Sequence, residues 1–112
     1  MATPSFTVFL THEARNDLEG IGDYIADHHS GEEAFATVEK IEARIASLAE
    51  FPFRGSIPRE LEEMGDRDHR QLLVAPYRLV YRVLDNAVFV LLIADGRRDM
   101  RTLLRHRLLA AR

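Results

Sequence analysis

Residues 69–99 read HRQLLVAPYRLVYRVLDNAVFVLLIADGRRD, and this stretch decides the fold. It predicts three consecutive β-strands: residues 72–74, residues 77–84, rich in β-branched and aromatic side chains, and the apolar run 87–94. An almost unbroken apolar run is typical of a strand that is covered on both faces. The dipeptide Asp-Asn at 85–86 favours the positive φ angles of a tight hairpin turn.

The middle strand carries arginines on one face. Because side chains alternate along a strand, Arg78 and Arg82 project to one side and Tyr77 and Tyr81 to the other. A basic loop, residues 96–98, follows the last strand. We therefore expect a sheet that displays Arg78 or Arg82 on a partly open face, although periodicity alone leaves open which face that is.

Two amphipathic helices precede the sheet. Apolar residues recur at helical spacing after Thr11, which predicts a first helix capped by that residue. Ser30 and Glu33 have the spacing of a capping box, with the Glu33 side chain reaching back, and the second helix is expected to end near Glu50. With a short connection, the two helices are expected to form a hairpin that buries apolar surface on the sheet.

The remaining segments complete an α+β fold. Residues 6–10 predict a strand, residues 59–64 a short helical turn, and residues 100–111 a basic amphipathic helix. We therefore predict a small, mainly antiparallel sheet with an N-terminal strand, a helical hairpin packed on one face and a C-terminal helix. At this length the chain, residues 1–112, is expected to form a single domain.

The formal net charge of −3 conceals an asymmetry between the two halves of the chain. Residues 1–66 carry 5 basic and 14 acidic residues, a net charge of −9, whereas residues 67–112 carry 10 arginines and 4 aspartates, a net charge of +6. The basic half is suited to nucleic acid or to an acidic protein segment. Alternatively, the two halves neutralise each other in the fold.

Composition excludes several kinds of site. The chain has no cysteine, so it has no disulfide and no thiolate metal site. The histidines at 12, 28 and 29 lack the spacing of zinc ligands, and we predict no metal site and no cofactor. There is no apolar run of about 20 residues that would span a membrane and no secretory signal, so a cytoplasmic location is expected.

Four segments carry a family resemblance. Residues 14–25 read A-x-x-D-L-x-x-I-x-x-Y-I, residues 51–55 F-P-x-R-G, residues 70–83 R-x-L-x-V-x-P-Y-R-L-V-Y-R-V, and residues 96–99 G-R-R-D. In this order and at this chain length they resemble the RelE/ParE toxins of bacterial type II toxin–antitoxin systems. The resemblance implies a small sheet with an N-terminal helical hairpin, in agreement with the fold predicted above.

The resemblance also implies a function. It implies a growth-inhibiting protein that is neutralised by a cognate antitoxin, in a hetero-oligomer of the two. RelE-like members cut mRNA on the ribosome, whereas ParE-like members inhibit DNA gyrase and are not nucleases.

The residues help to choose between these mechanisms. RNA cleavage requires a base, a group that neutralises the phosphate and an acid for the leaving oxygen. Arg78 and Arg98 match the family's arginines and are suited to holding a phosphate, and His69 is the remaining catalytic candidate if the chain is a nuclease. We interpret His69 as a surface residue, since a single imidazole without an orienting partner is a weak catalytic signal.

The rest of the RelE pattern is poorly matched. His69 and Gln71 stand where that pattern has two lysines, and residues 103–104 are leucines where a tyrosine is expected. Asp95 precedes G-R-R where many ParE-like members have a histidine, and a carboxylate there would repel a phosphate. Because the arginines for a phosphate are present but the groups for proton transfer are few, the sequence favours a ParE-like, non-enzymatic inhibitor.

Two alternatives stay open: a ribosome-dependent mRNA endonuclease, and a family member whose toxicity has decayed and which only binds its antitoxin. In each case arginines are expected to form the surface for the target or the antitoxin. These are Arg70, Arg78, Arg82, Arg97, Arg98, Arg101 and Arg105.

Overall fold

The computed structural model describes residues 5–110, which form a four-stranded mixed sheet and four helices. The strands are β1 (Thr7–Leu10), β2 (His69–Val74), β3 (Tyr77–Leu84) and β4 (Ala87–Asp95). The helices are α1 (His12–His28), α2 (Gly31–Ser47), α3 (Arg59–Glu62) and α4 (Met100–Ala110). These elements confirm the predicted α+β fold, while the predicted helix end at residue 111 lies outside the described residues. None of the described helices is long and apolar enough to cross a bilayer.

The sheet has the strand order β1-β4-β3-β2. β2, β3 and β4 follow one another as antiparallel neighbours, whereas β1 pairs in parallel with β4 at one edge. This parallel pairing is possible because the α1–α2 hairpin and the rest of the chain provide the long crossover that it needs. In the turn between β3 and β4, Asp85 has a φ of 55°, which confirms the predicted positive-φ turn.

Side-chain caps begin both long helices at the predicted residues. The Thr11 hydroxyl accepts a hydrogen bond from the Ala14 N–H at 3.1 Å, and the Ser30 hydroxyl accepts one from the Glu33 N–H at 3.0 Å. The Glu33 carboxylate does not reach back as predicted, and instead lies 3.6 Å from the His29 Nδ1. α2 ends at Ser47, earlier than the predicted end near residue 50.

The α1–α2 hairpin covers one face of the sheet, and the larger apolar cluster lies between them. Ile41 of α2 and Leu48, which follows the end of α2, are completely buried in this cluster, together with Leu79 and Tyr81 of β3. The arrangement follows the predicted alternation, because the odd-numbered residues of β3 are the apolar ones that meet the hairpin.

Gly55 explains one of the family-like segments. Its N–H donates a hydrogen bond of 3.0 Å to the buried Tyr81 hydroxyl. A Cβ at this position would lie 2.5 Å from the Gln71 carbonyl oxygen and 2.7 Å from the Tyr81 hydroxyl. Only glycine therefore allows the loop after α2 to run directly against β2, where Ser56 and Gln71 exchange backbone hydrogen bonds.

The opposite face of the sheet is half covered, by α3 and α4. Leu61 of α3 and Leu104 of α4 are completely buried against it, in a second apolar cluster with Val80 and Leu92. Helices thus lie on both faces, and the face that was expected to be partly open is open only in the half that carries Arg82.

Side chains complete the edge of β4 beyond the end of β1. β1 pairs with β4 only as far as Val90, and the β3–β4 register shifts next to it, which leaves Leu91 without a partner on β3. The Asp17 carboxylate accepts a hydrogen bond from the Ile93 N–H at 3.0 Å, and Arg107 donates to the Leu91 carbonyl at 2.8 Å. Asp17 and Arg107 also pair with each other at 2.7 Å, so α1 and α4 are both fastened to this edge.

Candidate functional site

Arg78 projects from β3 toward α3, where its guanidinium is already occupied. Both terminal nitrogens donate hydrogen bonds of 2.8 Å to the two Glu60 carboxylate oxygens, and its Nε donates to the Gln71 Oε1 at 2.8 Å. The hydrogen bonds from Arg78 lower the pKa of Glu60 to about 2, although burial opposes this shift. The Arg78 side chain is only 13% exposed, so Arg78 is not the displayed arginine.

The loop after β4 starts beside Arg78. Gly96 packs on the Arg78 stem, because a Cβ there would lie 2.9 Å from the Arg78 Cδ. Arg97 donates hydrogen bonds of 2.9 and 2.6 Å to Asp95 and lowers the pKa of that carboxyl to about 2. The negative charge of Asp95 is therefore balanced locally. Arg98 is exposed, and its guanidinium has no partner among the described residues.

The interpretation of His69 as a surface residue without an orienting partner is wrong. His69 is only 7% exposed, and its Nδ1 lies 3.0 Å from the Asp66 carboxylate. Burial raises the pKa of Asp66, but hydrogen bonds from His69 and the Asp68 N–H outweigh it and lower that pKa. The hydrogen bonds of the His69 ring to described residues are all made by Nδ1, to Asp66. This geometry orients the imidazole as a base would be oriented.

A single row of side chains crosses the uncovered half of the sheet face. The register pairs His69 with Arg82, Arg82 with Phe89, and Phe89 with Phe9, so each strand contributes one residue to this row. The rings of Phe9 and Phe89 stack with centroids 5.4 Å apart and planes inclined by 17°. Phe9 is 47% exposed, and Arg82 is exposed without a side-chain partner among the described residues. We call these four residues the cross-strand row.

The other predicted arginines are dispersed. Arg70 donates a hydrogen bond of 2.7 Å to the Gly55 carbonyl and lies over the Phe53 ring, and Arg101 pairs with Glu63 at 2.6 Å. Arg105 is exposed on α4 and has no side-chain partner in residues 5–110. Arg82, Arg98 and Arg105 are thus available to a partner, whereas the other four predicted arginines are engaged within the chain.

An open groove of about 920 Å³ lies between the helical hairpin, the β2–β3 turn and the end of β4. Its walls include Tyr24, Tyr77, Lys40 and Arg98. The groove therefore combines aromatic surface with cations and also with carboxylates, among them Glu33, and it extends the surface on which Arg98 is displayed.

Sequence reasoning missed the carboxylates that hold these arginines. Glu60, Asp66 and Asp17 were not predicted to pair with these residues, yet Glu60 holds Arg78, Asp66 holds His69, and Asp17 holds Arg107 of α4. The partners Glu60 and Arg78 are 18 residues apart, and Asp17 and Arg107 are 90 apart. No local pattern signals such pairs, because they depend on the packing of separate elements.

Residues 8–100 match the model of the family described as the ParE toxin of the type II toxin–antitoxin system, parDE. The chain belongs to this ParE toxin family. The match covers the sheet from the second residue of β1 onward, the helical hairpin and the loop that carries Arg98. No curated protein sequence matches the chain.

Three solved structures share the ParE-like fold. The chromosomal ParDE system of P. aeruginosa has 22% identity and a TM-score of 0.69, over 83% of this chain and 98% of that one. A mutant of the E. coli toxin RelE in the free state has 18% identity and a TM-score of 0.61, over 88% and 92%. The RelBE2 toxin–antitoxin complex of Mycobacterium tuberculosis has 23% identity and a TM-score of 0.56, over 84% and 94%. At these identities the likeness establishes the fold alone.

Proposed function

We propose that this ParE-family chain arrests bacterial growth by binding DNA gyrase, without cutting RNA, and that a cognate antitoxin neutralises it. The observation that carries the proposal is the cross-strand row, in which a stacked aromatic pair, exposed at Phe9 and half-buried at Phe89, lies beside the unpaired Arg82. Aromatic side chains and arginine dominate the binding energy of protein interfaces. Arg78, one of the two arginines predicted to hold a phosphate, is only 13% exposed and pairs with Glu60. Because it is not free to bind a phosphate, this observation also supports a protein target.

A supercoiling assay with purified gyrase tests the proposal. We expect the wild-type protein to inhibit supercoiling, and Phe9→Ala and Arg82→Ala each to weaken inhibition about tenfold or more, as at an interface hot spot. Phe35→Ala is the matched control, because Phe35 is 70% exposed on α2, away from the row. Supercoiling that proceeds normally with excess wild-type protein would contradict the gyrase assignment.

The antitoxin is proposed from the relatives, since two of the three solved structures are described as a toxin–antitoxin system or complex. An acidic antitoxin segment in the groove would place carboxylates on Arg98 and Lys40. Co-expression with the protein encoded beside this gene is expected to yield a stable hetero-oligomer. Arg98→Glu should weaken it, whereas Arg67→Glu, an exposed charge reversal outside the groove, should not. Equal loss in both variants would argue against this placement.

A second candidate function is ribosome-dependent mRNA cleavage, and the His69–Asp66 pair is the observation in its favour. In that reading His69 takes the proton of the attacking 2′-hydroxyl, the new O2′–P bond replaces the P–O5′ bond, and the leaving 5′-oxygen takes a proton from water. Arg98 holds the phosphate, together with Arg78 once Glu60 has released it. Mapping mRNA 5′ ends soon after induction distinguishes the two functions. New ends at translated codons that disappear in His69→Gln would favour the nuclease. No growth arrest at all, with folded protein present, would instead favour a member that only binds its antitoxin.

A further inference from the structure

We propose that Glu60 is a specificity-determining residue, whose carboxylate fills the anion position of Arg78 and so excludes an RNA phosphate from this face of the sheet. This role of Glu60 rests on the proposed function, in which the protein does not cut RNA. Glu60 would be the residue that closes the Arg78 face of the sheet to RNA.

The chemistry of the guanidinium makes Glu60 a direct competitor of phosphate. Arginine binds phosphate through the same planar fork of N–H donors with which it binds a carboxylate. At Arg78 both terminal nitrogens are engaged by Glu60, and Nε is engaged by Gln71, all at 2.8 Å. A phosphate that uses this fork must therefore displace the Glu60 carboxylate.

The short helix α3 holds that carboxylate in place. Leu61, the next residue, is completely buried in the cluster with Met100 and Leu104. Pro58, which precedes the helix, is also buried, and Glu63 pairs with Arg101 of α4 at 2.6 Å. Glu60 thus projects from a segment whose backbone is fixed on both sides, which keeps its carboxylate within reach of Arg78.

Three glutamates in or next to α3 each form an ion pair with an arginine from the basic half of the chain. Glu60 pairs with Arg78, Glu62 with Arg67, and Glu63 with Arg101, each at 2.6–2.8 Å. The acidic and basic halves therefore neutralise each other here. Among these three pairs only Glu60–Arg78 lies on the sheet, with side chains 22% and 13% exposed, so it is the pair that decides access to Arg78.

The test measures binding of a fluorescein-labelled 12-nucleotide single-stranded RNA by anisotropy at low salt. We expect Glu60→Gln to bind about tenfold more tightly than the wild type, since one charge-assisted phosphate contact becomes available. The slope of log affinity against log salt should steepen by about 0.7, the value for one added phosphate contact on a single strand. Glu63→Gln is the matched control, because it removes the same charge from the same segment without touching Arg78.

The double variant Glu60→Gln/Arg78→Ala should lose the gain, which assigns it to Arg78. Equal affinities of Glu60→Gln and Glu63→Gln, with both folded by circular dichroism, would overturn the proposal. A loss of RNA affinity when Arg78→Ala is introduced into the otherwise wild-type protein would also overturn the proposal, because Arg78 would then already bind RNA with Glu60 present. The comparison of wild-type protein with Arg78→Ala can be made even if Glu60→Gln does not fold. In that case Glu60→Asp replaces Glu60→Gln, because its side chain is too short to keep both hydrogen bonds to Arg78.

The outcome separates the inference from the proposed function. If the protein inhibits gyrase but Glu60→Gln gains no RNA binding, the role of Glu60 is contradicted and the proposed function is not. If Glu60→Gln gains RNA binding but the wild-type protein does not inhibit gyrase, the gyrase target is contradicted and the role of Glu60 is not.

Discussion

The two faces of the sheet are held by different kinds of interaction. The face under the α1–α2 hairpin is an apolar cluster that includes Ile41, Leu48 and Leu79. The opposite face is apolar only under α3 and α4, and it also carries the Glu60–Arg78 pair and the exposed Arg82. The difference shows that one face is closed by apolar packing, whereas the other is closed partly by packing and partly by charge and leaves Arg82 exposed.

The largest effect is expected on the hairpin face. Ile41→Ala should lower the free energy of unfolding by about 2–5 kcal/mol, because a completely buried side chain leaves a cavity. Urea denaturation measures this loss. Phe35→Ala on the same helix, at an exposed position, should change stability by less than about 0.5 kcal/mol. Similar losses in the two variants would remove the distinction between the apolar core and the helix surface.

The next effect concerns the edge where the two faces meet. Arg107→Ala should cost about 2–3 kcal/mol, since it leaves the Leu91 carbonyl without its side-chain donor and the Asp17 carboxylate without its cation. Arg105→Ala, on the exposed side of α4, serves as the control in the same urea experiment. If both variants are as stable as the wild type, Arg107 does not fasten α4 to β4.

A smaller and pH-dependent effect is expected at Glu60. We expect Glu60→Gln to lose about 1–2 kcal/mol at neutral pH, because Arg78 loses a charged partner. The folded pKa of Glu60, about 2, lies below its usual value of 4.5, so the ion pair stabilises the fold above about pH 4.5. That contribution is lost as the pH falls through the folded value. The stability difference between wild type and variant should therefore shrink between pH 4.5 and 2, and a difference that stays constant down to pH 2 would refute the shift.

The smallest effect is expected for a pair at the surface. Arg67→Ala breaks an ion pair whose side chains are 66% and 52% exposed, and it should cost at most about 0.5 kcal/mol. A loss comparable to that of Glu60→Gln would mean that burial does not separate the three glutamate pairs around α3. The urea midpoints of these two variants, measured side by side, make this comparison directly.

Much of the fold was predictable because its signals are local. The Thr11 and Ser30 caps act over three residues, and the turn at residue 85 depends on the residues within it. The candidate site was less predictable. Arg98 and Arg82 are exposed as a recognition surface requires, but Arg78 is covered and His69 is buried with a partner. Nothing in the local pattern around Arg78 or His69 distinguishes these outcomes.

The sequence by itself determined the helices, the strands, their caps and turn, and the resemblance to the toxin family. It did so because periodicities of 2 and 3.6 and capping hydrogen bonds involve residues that are neighbours in the chain. Only the tertiary structure decided which arginines are free and which faces are covered. The reason is that the carboxylates of Glu60 and Asp17 meet their arginines across 18 and 90 residues, and such meetings follow from the packing of whole elements.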